Sequence, residues 1–133
     1  MPLSDSLDLA IYEVIRGNLE EFQGGRSLTP TIAYDNIRAI LEKQGFRRLT
    51  NKHLEEPLGR IGRVCIERTP ALPPLSALAV RLNKRGNLKR QIPGEGYFAV
   101  AHPGVCDEAE QLALWELDLE RAREAGYPEA LDL

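Results

Sequence analysis

Residues 75–100 read LSALAVRLNKRGNLKRQIPGEGYFAV. After the helix-breaking Pro70, Pro73 and Pro74, residues 75–82 are apolar with partial alternation and read as a strand. Residues 83–91 gather Lys84, Arg85, Lys89 and Arg90 around Gly86-Asn87 and read as a turn-rich basic loop. Pro93-Gly94-Glu95-Gly96 closes the loop, and Tyr97-Phe98-Ala99-Val100 is expected to return as the second strand of a hairpin. Residues 93–96 lack the lysine and the following helix of a phosphate-binding loop, so a turn between strands is the expectation there.

Upstream of this stretch the pattern is helical. Leu7, Ile11, Val14, Ile15, Leu19 and Phe22 recur at helical spacing behind the caps Ser4, Asp5 and Ser6, which predicts a first helix over about residues 6–22, ended by Gly24-Gly25. Thr29-Pro30-Thr31 reads as the opening of a second helix that buries Ala33, Ile37, Ile40 and Leu41 and stops at Gly45. Thr50-Asn51 caps a third helical stretch to about Arg68, which either kinks or starts at Pro57. From there Leu58, Ile61, Val64 and Cys65 share one face, and Arg60, Arg63 and Glu67 share the other. Downstream, Asp107-Glu108-Ala109-Glu110 has capping-box spacing and launches a C-terminal helix over about residues 107–125, with only a short tail from Gly126-Tyr127-Pro128 onward.

The resulting order is helix, connector, helix, helix, strand, basic loop, strand, helix. It resembles the winged helix-turn-helix superfamily in element order over about residues 6–100. The expected fold class is therefore α+β: a winged-helix-like three-helix core, a small antiparallel β-hairpin and an additional C-terminal helix, all in one domain spanning residues 1–133. The order, with its proline-rich turn, also resembles the DNA-binding half of alkylguanine-DNA alkyltransferases, in which a buried cysteine follows a proline. Here the corresponding stretch is Pro73-Pro74-Leu75-Ser76, without the Pro-Cys-His-Arg motif, so alkyl transfer is not implied.

Charge is distributed unevenly along this chain of net charge −3. Residues 36–91 hold thirteen Lys and Arg against four Asp and Glu, a net +9, whereas residues 1–35 hold two against six and residues 92–133 two against ten. A local positive surface holds phosphate even on an anionic molecule. The candidate contacts are Arg47, Arg48, Thr50, Asn51, Lys52, Arg60 and Arg63 on the third helix and its approach, and Lys84, Arg85, Lys89 and Arg90 on the loop. The expected function is non-catalytic nucleic-acid binding, with duplex DNA as the partner, by a regulator or accessory factor. The competing class is a protein-interaction module, such as a phage or defence-system inhibitor, whose basic centre meets an acidic protein surface.

The remaining signals are weaker. His53, Cys65, His102 and Cys106 are the only His and Cys residues, and only His102 and Cys106 have local metal-ligand spacing, so no metal or other cofactor is expected and Cys65 reads as a small buried hydrophobe. No constellation of nucleophile, base and oxyanion donor is recognisable. Ala109, Leu112, Trp115, Leu119 and Ala122 form one stripe of the last helix while Leu114 and Leu117 lie off it; that flank is covered by the first helix or forms a homodimer through the C-terminal helix. With 43% hydrophobic residues, two distant cysteines, no leader-like start and no run of about 20 apolar residues, a cytoplasmic protein without membrane contact is expected.

Overall fold

The structure, a computed structural model, describes residues 6–85 and 88–129. Among the described residues the fold is α+β, with five α-helices, one 3-10 turn and a small three-stranded sheet. Helix α1, Ser6–Gln23, follows the predicted spacing and buries Ile11, Tyr12, Ile15 and Leu19. It ends at Gly25, whose φ of 80° lies in the left-handed region that glycine enters without steric cost.

The segment after α1 departs from expectation. Ile32–Ala33 form a two-residue strand, β1, and helix α2 begins only at Tyr34 and runs to Lys43. The cause lies in where the backbone groups go: Asn18 Nδ2 donates to the carbonyls of both Pro30 and Thr31 at 3.2 Å, and Ile32 and Ala33 pair in parallel with Ala79 and Val80. A connector whose carbonyls are taken this way is held out of helix. The buried stripe is accordingly Tyr34, Ile37 and Leu41, while Ile40 is 38% exposed rather than buried.

Helix α3, Asn51–Glu67, runs unbroken through Pro57 and buries Leu54, Leu58, Ile61, Val64 and Cys65. Gly62 lets it approach the next segment closely, since a Cβ there would lie 2.8 Å from Ser76 Oγ. That segment, Leu75–Leu78, is a buried 3-10 turn, so the predicted strand loses its first four residues; strand β2 is Ala79–Arg85. Its antiparallel partner β3 is Leu88–Ile92, within the predicted loop, in a register from Arg81↔Ile92 to Arg85↔Leu88. The basic residues thus belong largely to strands, joined through Gly86-Asn87, which lie outside the described residues.

Tyr97 to Val100, expected as a strand, belongs instead to helix α4, Glu95–Ala101. A four-residue apolar run fits either state, and here Tyr97 and Phe98 bury with Ala101 packed beside them at helical spacing. Helix α5, Glu108–Glu124, starts as predicted, with Asp107 accepting the Glu110 N–H at 2.9 Å. The segment beyond it is no loose tail: Tyr127 is buried and donates to the Pro73 carbonyl at 2.6 Å, and Tyr12 donates to that of Pro128 at 2.5 Å.

Two apolar clusters result. The larger joins α1, α2, α3, β1, the 3-10 turn and Tyr127; the smaller holds Ala77, Val80, Ile92, Tyr97, Phe98 and Trp115. Trp115 Nε1 donates to the Ala77 carbonyl at 2.9 Å and fixes α5 against the 3-10 turn. Asp118, buried on α5, accepts from Tyr97 Oη at 2.5 Å and lies 2.7 Å from His102 Nε2, which ties α4 to α5. Among the described residues no helix is long and apolar enough to cross a membrane.

The two isoleucines of α2 provide a test of this phase. Ile37→Ala should cost about 2–5 kcal/mol, the usual cost of a large-to-small change in a core, and Ile40→Ala about 1 kcal/mol or less. Urea melts of the two variants check the difference, and equal losses would put the stripe where the sequence alone suggested it.

Candidate nucleic-acid interface

The approach to α3 turns its basic residues outward between two apolar anchors. Gly45, with φ 106°, stops α2. Phe46 and Leu49 then pack on the core, leaving Arg47 and Arg48 between them exposed. Arg48 takes a φ of 54°, a left-handed conformation uncommon for a residue with a Cβ. Thr50 is the N-cap, and its N–H donates to His53 Nδ1 at 3.0 Å, so His53 serves the helix start and not a ligand set. Thr50 and Lys52 are exposed and Asn51 is half-buried.

One acidic side chain that the sequence reading passed over organises the site. Glu55, on the second turn of α3, accepts the Tyr34 hydroxyl at 3.3 Å and the Gly96 N–H at 3.2 Å, and its Oε1 lies 3.6 Å from Arg81 Nε. Burial, and next the Glu55 charge, hold the Tyr34 phenol well above its ordinary pKa, so it remains a donor at any physiological pH. The approach requires glycines: a Cβ on Gly94 would fall 2.0 Å from Glu55 Oε1, and one on Gly96 2.9 Å from Oε2. The Pro93-Gly94-Glu95-Gly96 motif is therefore the start of α4, shaped around a carboxylate, and not a turn between strands. Asn51, Lys52, Glu55, Arg81, Glu95 and Gly96 line an open cleft between α3, β2 and α4.

The predicted basic residues fall into three groups. Arg47, Arg48, Lys52 and Arg63 are exposed. Arg60 is otherwise committed: its Nε and Nη2 donate to the two carboxylate oxygens of Asp8 at 2.6 and 2.8 Å, and Nη1 lies 3.2 Å from Glu56. Asp8 is 2% exposed, so Arg60 neutralises a buried charge and joins α3 to α1, where the sequence had placed it on a ligand-facing side with Arg63. The third group is Lys84, Arg85, Lys89 and Arg90, whose backbone lies in β2 and β3 and whose side chains lie outside the described residues.

The sulfur and imidazole groups are scattered in role. Cys65 is buried in the larger core and Cys106 is exposed. Burial pushes the Cys65 thiol up to about 11. Among the described residues no group of three or more His, Cys, Asp and Glu is arranged to hold a metal ion. Ser76, at the place of the alkyltransferase comparison, is buried against Gly62. Compared with protein-family models, curated proteins and solved structures, the chain matches none of them.

Two predictions follow from these placements. Arg60→Ala should destabilise by about 3 kcal/mol because it strands a buried carboxylate, whereas Arg63→Ala should stay within about 0.5 kcal/mol; denaturant melts decide between a structural and a solvated arginine at each position. In native protein at pH 8, only about a thousandth of Cys65 is thiolate, the reactive form, so a disulfide reagent should titrate one thiol rapidly and the second only in urea. Two fast thiols in native buffer would contradict the burial of Cys65.

Proposed function

We propose that this chain is a non-catalytic, winged-helix-like protein that binds duplex DNA with the start of α3 and the β2–β3 hairpin, in a reducing cytoplasm. The observation that carries the reading is the Glu55 node, which holds β2 beside the first turns of α3 through Arg81, so that the exposed Lys52, which follows Arg47 and Arg48 in the chain, shares a cleft with the strand that continues to Lys84 and Arg85. The element order up to β3, three helices followed by a two-stranded hairpin, supports the winged-helix comparison. In that geometry the helix start approaches a groove and the flanking Arg and Lys hold backbone phosphates.

Each neutralised phosphate releases counterions, so affinity falls with salt at a slope of roughly −0.9 per contact. Replacing Arg47, Arg48 and Lys52 together by Ala should weaken random-duplex binding and flatten the slope by about 2–3 units, with folding intact by circular dichroism. Mobility-shift titrations at several salt concentrations measure it. An unchanged slope, or a wild-type protein that ignores duplex at low salt, would sink the DNA reading and leave the acidic-protein partner in its place.

A further inference from the structure

His53 holds the start of α3 through an atom that a proton would occupy. Its Nδ1 accepts the Thr50 N–H at 3.0 Å, while its own N–H donates to the Thr50 carbonyl at 3.0 Å. In the usual capping box the reciprocating residue is Glu or Gln, whose oxygen accepts at any physiological pH. An imidazole nitrogen accepts only while it is bare, and imidazole is the side chain whose ordinary titration falls between about pH 5 and 8. Once protonated, Nδ1 is a donor. Thr50 Oγ1, at 3.4 Å, is then its neighbouring acceptor, and the Thr50 N–H loses its own. His53 is exposed, so a proton reaches the ring without unfolding the chain.

We propose that His53 is a pH-sensitive lock on the first turn of α3, closed while the ring is neutral and released when it is protonated. The surrounding charges act in the same direction. Glu55 answers Arg81 at 3.6 Å and Glu56 answers Arg60 at 3.2 Å, which leaves Arg47, Arg48 and Lys52 against Glu95 around this helix start. The helix N-terminus adds the positive end of its dipole, so a cationic ring is disfavoured on both counts. Among the described residues no side-chain hydrogen bond or ion pair joins the His53 ring to any residue but Thr50. Breaking that bond costs the folded chain and not the unfolded one, so the contribution of the lock is present above the histidine range and lost as pH falls through it. The consequence for the interface rests on the DNA reading. Asn51 and Lys52 lie in the released turn, so acid loosens residues that meet the duplex.

Urea melts and amide NMR of the intact chain from about pH 7.5 to about pH 5.5 test the lock against His53→Gln, whose side-chain oxygen fits the capping box and does not titrate. His102, the other histidine, faces Asp118 at 2.7 Å in both proteins, so its titration cancels in the comparison. On acidification the folding constant of the wild type should fall about three- to fivefold further than that of His53→Gln, the size of a lost cap. The Thr50 amide resonance should move with the His53 ring titration in the wild type and hold still in the variant. On random duplex at fixed salt the two should bind within about twofold of each other at about pH 7.5, with the wild type about threefold the weaker at about pH 5.5. Parallel losses in the melts, a Thr50 amide indifferent to the ring, or a wild type that gains on duplex relative to His53→Gln in acid, as a cationic phosphate contact would, each overturn the lock. Should His53→Gln fail to fold, the wild-type Thr50 titration decides alone. If neither protein binds duplex at any pH, the DNA reading fails, while the melts and the amide still decide the lock.

Discussion

The carboxylate of Glu55 joins four elements, α2, α3, α4 and β2, at one point. It takes a hydroxyl from the first residue of α2, an N–H from the first turn of α4 and the charge of Arg81 on β2, while belonging to α3. An acceptor of this kind needs several donors, since a half-buried charge left unsatisfied costs more than a typical hydrogen bond returns. Much of the local sequence can be read as its consequence. Gly94 and Gly96 are small because the carboxylate occupies the space of their Cβ atoms, Tyr34 fills the α2 start with a donor, and β2 presents Arg81 where the strand passes α3.

A second polar contact does the same for the other side of α3. Asp8 and Arg60 link α1 to α3 through two charge-assisted bonds, one partner buried and the other near water. The pair is weak evidence for net stability but strong evidence for register, because a shift of either helix by one residue leaves a buried carboxylate without its fork. Together, Glu55 and Asp8 set how α3 sits relative to both its neighbours. The exposed residues at its start, Arg47 to Lys52, inherit that orientation.

Elements whose signal is local were legible in the sequence. Helix α1, the C-terminal end of α3, the Asp107 cap of α5 and the burial of Cys65 all follow from spacing within about one or two turns, whereas Pro57 left the start of α3 open. Strand β3 was hidden because its residues, Leu88-Lys89-Arg90-Gln91, announce charge before they announce alternation, although Gly86-Asn87 is a two-residue hairpin signal that would have located it. Helix α4 was hidden because Tyr97-Phe98-Ala99-Val100 is too short for periodicity to decide. The organising contacts were beyond reach for a different reason: Glu55 meets partners 21 and 41 residues away, and Arg60 meets Asp8 across 52. Pairings at such separation are set by packing, and no spacing rule encodes them.

Those long-range pairs also revise what the charge partition means. A net +9 over residues 36–91 suggests a broadly available positive field, yet part of it is already consumed inside the molecule. Arg60 answers Asp8 and Glu56, Arg81 answers Glu55, and Arg38 answers Asp35 within its own helix. Asp8 and Asp35 come from the acidic first segment, so some of the apparent segregation along the chain closes up in space. Removing Arg60 from the predicted cationic contacts leaves Arg47, Arg48, Lys52 and Arg63 with the four hairpin residues, eight positions. Eight contacts would set an upper limit of about 7 on the steepness of any salt dependence.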